Sequence, residues 1–556
     1  MSEPKPFRVP PQVTPENEHF WHGGAQGELR FLRCAACRHY VHPPSPVCPE
    51  CLGRALAPEA VSGRATLVTY TVNHHPWIPG FAPPYVIAIV EIEEQPGLRL
   101  TTNLVDCVAS EVAIGMPLRA QFEAGADGVF FPLFVPDPEP RRASTPPAAK
   151  PAAARTRAAS SARGERGVMI TGIGQSDVGR RLNRDPLALT VDACLAAIAD
   201  AGLTRADIDG VATYPGMLSG AGFAGFSGAG VSELQEALRL ELDWYHGGSE
   251  TSGQLGSVIT ACAAVAAGYA NHVLCFRTVW ESTAQGGGRR QGIGGSGGGF
   301  RAGGFMQWVL PYGAASAANW IALFAQRHMH EFGTTREQLA QIALNARKNA
   351  VRNPRAIYRE PLTLDDYLAA RWISTPFCLY DCDVPVDGAT AFVISRADRA
   401  RDLRKPALHV EAIGAALHGR PSWDQFDDLT TMALRDAGRQ LWTRTDLTPK
   451  DVDVAQLYDG FSFIALAWLE ALGFCGRGES GAFVEGGARI ALAGELPLNT
   501  NGGQLSGGRL HGYGFLHEAC VQLWGEGGER QVPGARVGVA AAGGGPIGGC
   551  LLIRRD

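Results

Sequence analysis

Four cysteines early in the chain stand as Cys34-x2-Cys37-x10-Cys48-x2-Cys51. Two such knuckles in one short segment offer four thiolates, the donor set of a tetrahedral zinc site. Four sulfurs close the coordination shell, leaving no position for a catalytic water, so the metal's role is structural. His39 and His42 lie between the knuckles, but the four sulfurs already suffice. Free or redox-active cysteines are the competing reading.

A second chemically dense group lies late in the chain. Tyr458-Asp459-Gly460-Phe461 follows the apolar run Val454-Ala-Gln-Leu457, which reads as a strand. The stretch from Asn499 to Tyr513 contains Gly503, Ser506, Arg509 and His511, is glycine-rich, and leads into a helix. Glycines let backbone N–H groups approach a ligand oxygen, and a helix N-terminus favours a developing anion. The alternative is a helix start whose buried polar residues are satisfied locally. Two Gly-x-Gly-x-x-Gly matches, at Gly220–Gly225 and Gly292–Gly297, neither follow a strand nor open a clear helix, so no dinucleotide site is expected. Gly286–Gly304 reads as a mobile loop, a lid over a bulky ligand.

These residues need a scaffold, and the chain is long enough for one of several domains. It has 556 residues, 45% hydrophobic and 19% charged, with a net charge of −5. That balance suits a large core and gives no basic field for nucleic acid. No apolar run reaches the ~18–20 residues of a membrane span, and the N-terminus lacks the apolar core of a secretion signal. Thirteen cysteines, an odd number and mostly isolated, favour a reducing cytoplasm. Glu139 to Arg166 is Pro-, Ala-, Arg- and Ser-rich and reads as a flexible tether. Its seven basic residues would otherwise be an anion-binding strip. The expected division is 1–137 as a small module, 138–166 as the tether, and 167–405 and 406–556 as two related halves.

The small module should hold a helix over Glu16–Glu28 and strands at Ala65–Val72 and Tyr85–Ile92. The halves are inferred from an internal repeat. Leu203-Thr-Arg-Ala-Asp-Ile-Asp209 recurs as Leu447-Thr-Pro-Lys-Asp-Val-Asp453, and Tyr214 maps onto Tyr458 at the same spacing. Ile173-Gly174 and Ile413-Gly414 end the preceding strands, each followed by an Ala-rich helix. Gly253-Gln-Leu-Gly256 is echoed by Gly503-Gln-Leu-Ser506, each expected to open a helical stretch. Corresponding loops of two such α/β halves converge on a shared centre, where ligands sit.

Residues 167–556 resemble the thiolase superfamily, in its sterol-carrier and lipid-transfer branch. The resemblance rests on Thr335-Arg-Glu-Gln-Leu-Ala-Gln-Ile-Ala, Cys382-Asp-Val-Pro-Val-Asp-Gly-Ala389, the Tyr458 segment and the Asn501-to-Gly512 stretch. The four cysteines and Phe81-Ala-Pro-Pro-Tyr85 resemble the zinc-ribbon and OB-fold domains associated with acyl-CoA metabolism. The resemblance implies an α/β chain: a duplicated thiolase fold preceded by a zinc ribbon and a small OB-fold barrel. It also implies a homodimer paired through the strand Asn271–Phe276.

Two departures bear on the reaction. Where thiolases carry their nucleophilic cysteine, the chain reads Gly248-Ser-Glu250-Thr251-Ser-Gly253, and the second cysteine is replaced around Ala541–Gly544. Without a thiolate no acyl-enzyme forms; Cys262 and Cys275 sit in apolar patterns and read as core. Members lacking the cysteine resemble aldolases that cleave β-hydroxyacyl-CoA thioesters of steroid or bile-acid side chains. By this resemblance Tyr458 transfers a proton, Asp459 and His511 surround it, and Arg509 or Tyr513 replaces a second tyrosine. Glu250, Gly503, Ser506 and Gly544 would hold the acyl-CoA. The alternatives are a non-catalytic acyl-CoA- or lipid-binding protein and an acyltransferase with a displaced nucleophile.

Overall fold

The computed structural model describes residues 7–138, 163–216, 225–286, 300–399, 404–419 and 422–556. Most of the expected tether, nearly all of the first glycine match, the whole of the second and most of the expected lid lie outside the described residues.

The N-terminal part begins with a helix over Glu18–His22, shorter than expected, because Gly23 and Gly24 open a 3-10 turn that hands over to a strand at Leu29. Leu29–Cys34 pairs with Tyr40–Val41 and Leu56–Val61 to form the ribbon that carries the four cysteines. Beyond it, Arg64–Asn73, Tyr85–Ile92, Arg99–Leu104, Pro117–Ala124 and Phe130–Pro136 form a five-stranded barrel, closed where Arg64–Thr66 pairs with Pro117–Arg119. Arg64–Asn73 alternates buried and half-exposed residues, as a strand with one face on a core should.

The larger part is built on a nine-stranded sheet. Its strands in chain order are β1 (Val168–Gln175), β2 (Gly210–Thr213), β3 (Trp244–Gly247), β4 (His272–Trp280), β5 (Asp387–Arg396), β6 (Leu408–Leu417), β7 (Val454–Leu457), β8 (Val537–Gly544) and β9 (Ile547–Arg554). In space they run β3-β2-β4-β5-β1-β6-β9-β8-β7. In each half a parallel pair, β2–β4 or β7–β8, is followed by antiparallel neighbours. The halves join where Leu408 and His409 of β6 pair with Ile170 and Met169 of β1.

The sequence repeat has a physical cause at three places. Thr204 caps Asp207, and Thr448 caps Asp451, with the hydroxyl donating to the carboxylate at 2.7 Å in both, just before β2 and β7. A Cβ on Gly174 would lie 2.1 Å from the Ala193 carbonyl oxygen, and one on Gly414 would lie 2.1 Å from that of Ala437. The paired glycines therefore let α1 (Pro186–Asp200) and α5 (Leu434–Trp442) press onto β1 and β6. The third place is a pair of central helices, α2 (Gly256–Ala266) and α7 (Tyr513–Trp524), which meet end to end where the Tyr513 hydroxyl lies 2.6 Å from the Ser257 Oγ. Between them in sequence lie α3 (Ala317–Phe332), α4 (Arg336–Val351) and α6 (Ser462–Ala471).

Two expectations are corrected. Gly253–Leu255 runs straight into α2, but Gly503–Gly507 is a separate turn, and Gly508–Gly512 stands between it and α7. The Gly-Gln-Leu echo is therefore not a structural correspondence. The strand holding Asn271–Phe276 is also not a free edge: β4 is paired on both sides, by β2 and β5, and the open edge of this half is β3.

The barrel and the large part share a core. Ile87 and Ile89 of the barrel pack in the same apolar cluster as β1, α2 and α3. Trp372–Ser374 continues the barrel sheet, with Ser374 opposite Asn73. Buried polar groups fix the seam: Asn319 donates to Asn73 (2.9 Å) and Ser374 (3.0 Å), Thr69 to the Leu323 carbonyl (2.6 Å), and Thr101 to Asp424 (3.0 Å). Such bonds hold one docking geometry, because a slipped interface would bury them unpaired.

Candidate functional site

The metal centre is built by two turns of the same design. In each knuckle the N–H four residues on bonds back to the first cysteine: Arg38 to Cys34 and Leu52 to Cys48, both at 2.9 Å. Arg38 and Leu52 both take the left-handed conformation. The turns gather the four sulfurs within 4.8 Å of one another, with Cys34 Sγ 3.6 Å from Cys51 Sγ and Cys37 Sγ 3.5 Å from Cys48 Sγ. Four sulfurs about 2.3 Å from a central zinc would be roughly 3.8 Å apart. A Cβ on Gly53 would come 3.2 Å from Cys51 Sγ, so glycine leaves the cradle clear. The residues fit zinc.

A cavity of about 1650 Å³ lies between the halves of the thiolase-like part and the barrel. Its size exceeds the ~300–1,000 Å³ typical of small-molecule sites. Trp77, Trp320, Trp423 and Phe461 give it an aromatic wall. Trp77 comes from the barrel and is held by an Nε1–H donated to Asn73 Oδ1 at 2.9 Å. Four exposed arginines, Arg180, Arg181, Arg359 and Arg371, also line it, and none makes an ion pair among the described residues.

The polar heart of the cavity is a cluster around Arg509. Its guanidinium donates to Glu281 from Nε (2.8 Å), lies 2.7 Å from it through Nη2, and donates to Asp383 from Nη1 (3.0 Å). Glu281 lies at the end of β4; burial works to raise its carboxyl, but Arg509, His511 and Arg277 overcome this and hold it down at about 2. Asp383 goes the other way: burial and the charge of Glu281 outweigh Arg509 and push it up to about 7. His511 Nε2 is 3.5 Å from Glu281 and its ring packs edge-on against Phe226 at 4.6 Å. Burial, with Arg277 and Arg509 nearby, lowers its imidazole to about 4, so it is neutral at pH 7. Tyr458 faces the same cavity; burial and then the charge of Asp383 raise its phenol, while Gln504 and Arg509 oppose the shift. At neutral pH it is a proton donor and not a phenolate.

Of the residues singled out from sequence, Tyr458, Arg509, His511 and Gly544 line the cavity together. The others stand elsewhere. Asp459 lies behind the wall, where its carboxylate accepts from Gln504 N–H (2.7 Å) and Asn499 Nδ2 (3.0 Å) and so holds the 499–504 turn. Burial raises its carboxyl to about 7. Gly503 serves that packing, because a Cβ there would lie 1.9 Å from Asp459 Oδ2. Ser506 Oγ accepts from Arg347 Nε at 2.9 Å, and Arg347, not Ser506, reaches the cavity. Tyr513 is fully buried against Ser257 and does not replace a cavity tyrosine. Glu250 is exposed and outside the cavity; the residue of that turn which lines it is Gln254.

Sequence reasoning missed Glu281 and Asp383 as site residues. Asp383 lies inside a segment already quoted for its resemblance, whereas Glu281 carries no local motif. Cys262 is buried in α2 and its thiol is pushed up to about 12 by burial, then by the charge of Glu165. Cys382 is the cysteine that lines the cavity among the described residues, and burial with Asp381 and Asp383 raises its thiol well above the ordinary value. No thiolate nucleophile is poised here.

The comparisons agree with this geometry. Residues 21–57 match the ChsH2 rubredoxin-like zinc ribbon domain, 58–123 the ChsH2 C-terminal OB-fold domain, and 415–549 the thiolase C-terminal domain-like family. A steroid side-chain-cleaving aldolase from Thermomonospora curvata is 36% identical over 69% of this chain and 97% of its own. A 17-hydroxy-3-oxo-4-pregnene-20-carboxyl-CoA lyase from Mycobacterium tuberculosis is 35% identical over 69% of this chain and 98% of its own. The solved structure of an Ltp2-ChsH2(DUF35) aldolase superposes with a TM-score of 0.61 at 33% identity, covering 70% of this chain and 98% of that one. The chain belongs to the thiolase-fold family of steroid side-chain-cleaving aldolases, and carries the zinc ribbon and OB-fold barrel in the same polypeptide.

Proposed function

We propose that this enzyme cleaves the Cα–Cβ bond of a β-hydroxyacyl-CoA by a retro-aldol reaction, on the CoA thioester of a steroid or bile-acid side chain. The observation that carries this reading is a cavity holding Tyr458, Arg509, Glu281 and Asp383, whose lining cysteine among the described residues, Cys382, has its thiol raised well above the ordinary value by burial. The β-hydroxyl proton passes to a carboxylate of the cluster. The Cα–Cβ bond then breaks, a ketone or aldehyde forms, and the electron pair is left as the CoA enolate. Tyr458 protonates the enolate carbon to give the shorter acyl-CoA, in keeping with its raised phenol. Arg509 supplies fixed positive charge beside the developing anion.

The aromatic wall suits a polycyclic apolar ligand, and the four exposed arginines, which make no ion pair among the described residues, suit the phosphates of coenzyme A. Cys34, Cys37, Cys48 and Cys51 would hold zinc, whose contribution is to cross-link the ribbon. The open edge β3, with Tyr245 71% exposed, is the surface we assign to homodimer pairing. Thirteen unpaired cysteines support a cytoplasmic location. Among the described residues no helix is long and apolar enough to cross a membrane.

Incubation with a β-hydroxyacyl-CoA tests the reading against a binding protein and an acyltransferase. An aldolase releases a carbonyl compound and a shorter acyl-CoA without consuming free CoA. A binding protein releases neither product, and an acyltransferase requires free CoA or an acyl acceptor.

A further inference from the structure

Two carboxylates share Arg509, and they differ in what they leave open. Glu281 receives two approaches from the guanidinium, at 2.8 and 2.7 Å, and has His511 at 3.5 Å. Asp383 receives one bond, to Oδ1, and its Oδ2 takes no hydrogen bond among the described residues. Asp383 is also tied to the Tyr458 segment. Its N–H donates to the Gly460 carbonyl at 3.2 Å, and Cys382 bridges to Phe461 in antiparallel register. Gly460 is required there, because a Cβ would lie 2.6 Å from the Tyr458 ring. The two segments therefore bring Asp383 and Tyr458 to the lining of one cavity, close enough for the charge of Asp383 to act on the phenol.

We propose that Asp383 is the general base that takes the β-hydroxyl proton, with Tyr458 as the matching acid and Arg509 as the residue that positions the carboxylate. The inference rests on the retro-aldol reading above. In the forward step Asp383 accepts the hydroxyl proton, the oxygen electron pair forms the carbonyl, and the Cα–Cβ pair becomes the enolate. Tyr458 gives its proton to Cα, and the protonated Asp383 then returns a proton to the Tyr458 phenolate, which resets the site. No oxidant, reductant or further reactant is needed.

The electrostatics are consistent with this division. Asp383, raised to about 7, is matched to proton abstraction near neutrality, whereas Glu281 at about 2 and His511 at about 4 are weak bases. The groups facing Asp383 are Arg509, Glu281, Tyr458, Asp459 and Cys382. Of these, Tyr458 and Cys382 stay protonated, while Glu281 and Arg509 keep their charges through the working range. Asp459, also near 7, is bonded away from the cavity.

The test compares wild type, Asp383→Asn, Asp383→Glu and Asp459→Asn on one β-hydroxyacyl-CoA from pH 5 to 9. Wild-type kcat/KM should rise through a pKa near 7. Asp383→Asn should lower kcat by about 10²–10⁴ and lose that rising limb. It should still bind a CoA ester lacking the β-hydroxyl within a few-fold. Asp459→Asn should keep the limb. Asp383→Asn turning over within a few-fold of wild type, or keeping the limb, would overturn the assignment while leaving the aldolase reading intact. If wild type releases no carbonyl product, the reading itself fails and the assignment fails with it. Should Asp383→Asn not fold, Asp383→Glu decides: a displaced limb and a fall of tenfold or more support the base, and an unchanged profile refutes it.

Discussion

The guanidinium of Arg509 lies 3.0 Å from the Asp383 carboxylate through Nη1, yet Asp383 is pushed up to about 7, because burial, together with the charge of Glu281 on the same guanidinium, outweighs that contact. One cation serving two buried anions cannot neutralise both. Glu281, with two approaches from Arg509, stays ionised, and Asp383 is left on the edge of protonation. The site thus sets two carboxylates to different protonation states within one cluster.

This coupling has a sign that can be measured. The charge of Glu281 helps to raise Asp383. Glu281→Gln should therefore move the rising limb of kcat/KM to lower pH. It also leaves Arg277 and Arg509 buried with one anion fewer, at a stability cost of about 3–5 kcal/mol. In wild type the Glu281 carboxyl is depressed, so its contribution is present above the ordinary Glu value and is lost as pH falls toward about 2. Denaturant unfolding at pH 7 and a pH–rate profile check both parts; a limb that moves upward contradicts the coupling.

Tyr458→Phe keeps the ring packed against Phe515, whose centroid is 5.8 Å away, but removes the proton. Turnover should fall by about 10²–10⁴ with KM within a few-fold. A modest loss of stability with normal turnover would make Tyr458 a structural residue.

The cysteine variants run opposite. Cys262→Ala and Cys382→Ala should leave cleavage within a few-fold of wild type, since both thiols are held protonated. Loss of activity in either, with Tyr458→Phe spared, would mean a displaced nucleophile.

For the ribbon, Cys34→Ser should release about one zinc per chain and lower the stability of the N-terminal part, because metal binding and folding are coupled in closed tetrathiolate sites. Zinc content by elemental analysis and thermal unfolding read this out. Retained metal would contradict it.

What was legible in the sequence follows from how local each signal is. The knuckles are visible because four ligands fall within one short segment. The two halves are visible because Thr204/Asp207 and Thr448/Asp451 are the same capping turn. Tyr458, Arg509 and His511 were found because they cluster along one stretch of chain each. Glu281 was not, because its meaning comes from Arg509, 228 positions away. Gly503 and Ser506 read as ligand-binding, and Asp459 and Tyr513 as catalytic, because polar and glycine residues look alike whether they line a cavity or brace the wall behind it. The edge strand was misplaced for a similar reason: β4 has an apolar pattern, but only pairing in space makes an edge.

The most direct measurement is product analysis of purified enzyme with a steroid-side-chain β-hydroxyacyl-CoA in the absence of free CoA. The account predicts equal amounts of a carbonyl product and of an acyl-CoA shortened by that fragment. Recovery of intact substrate, or cleavage that appears only when free CoA is added, would contradict it.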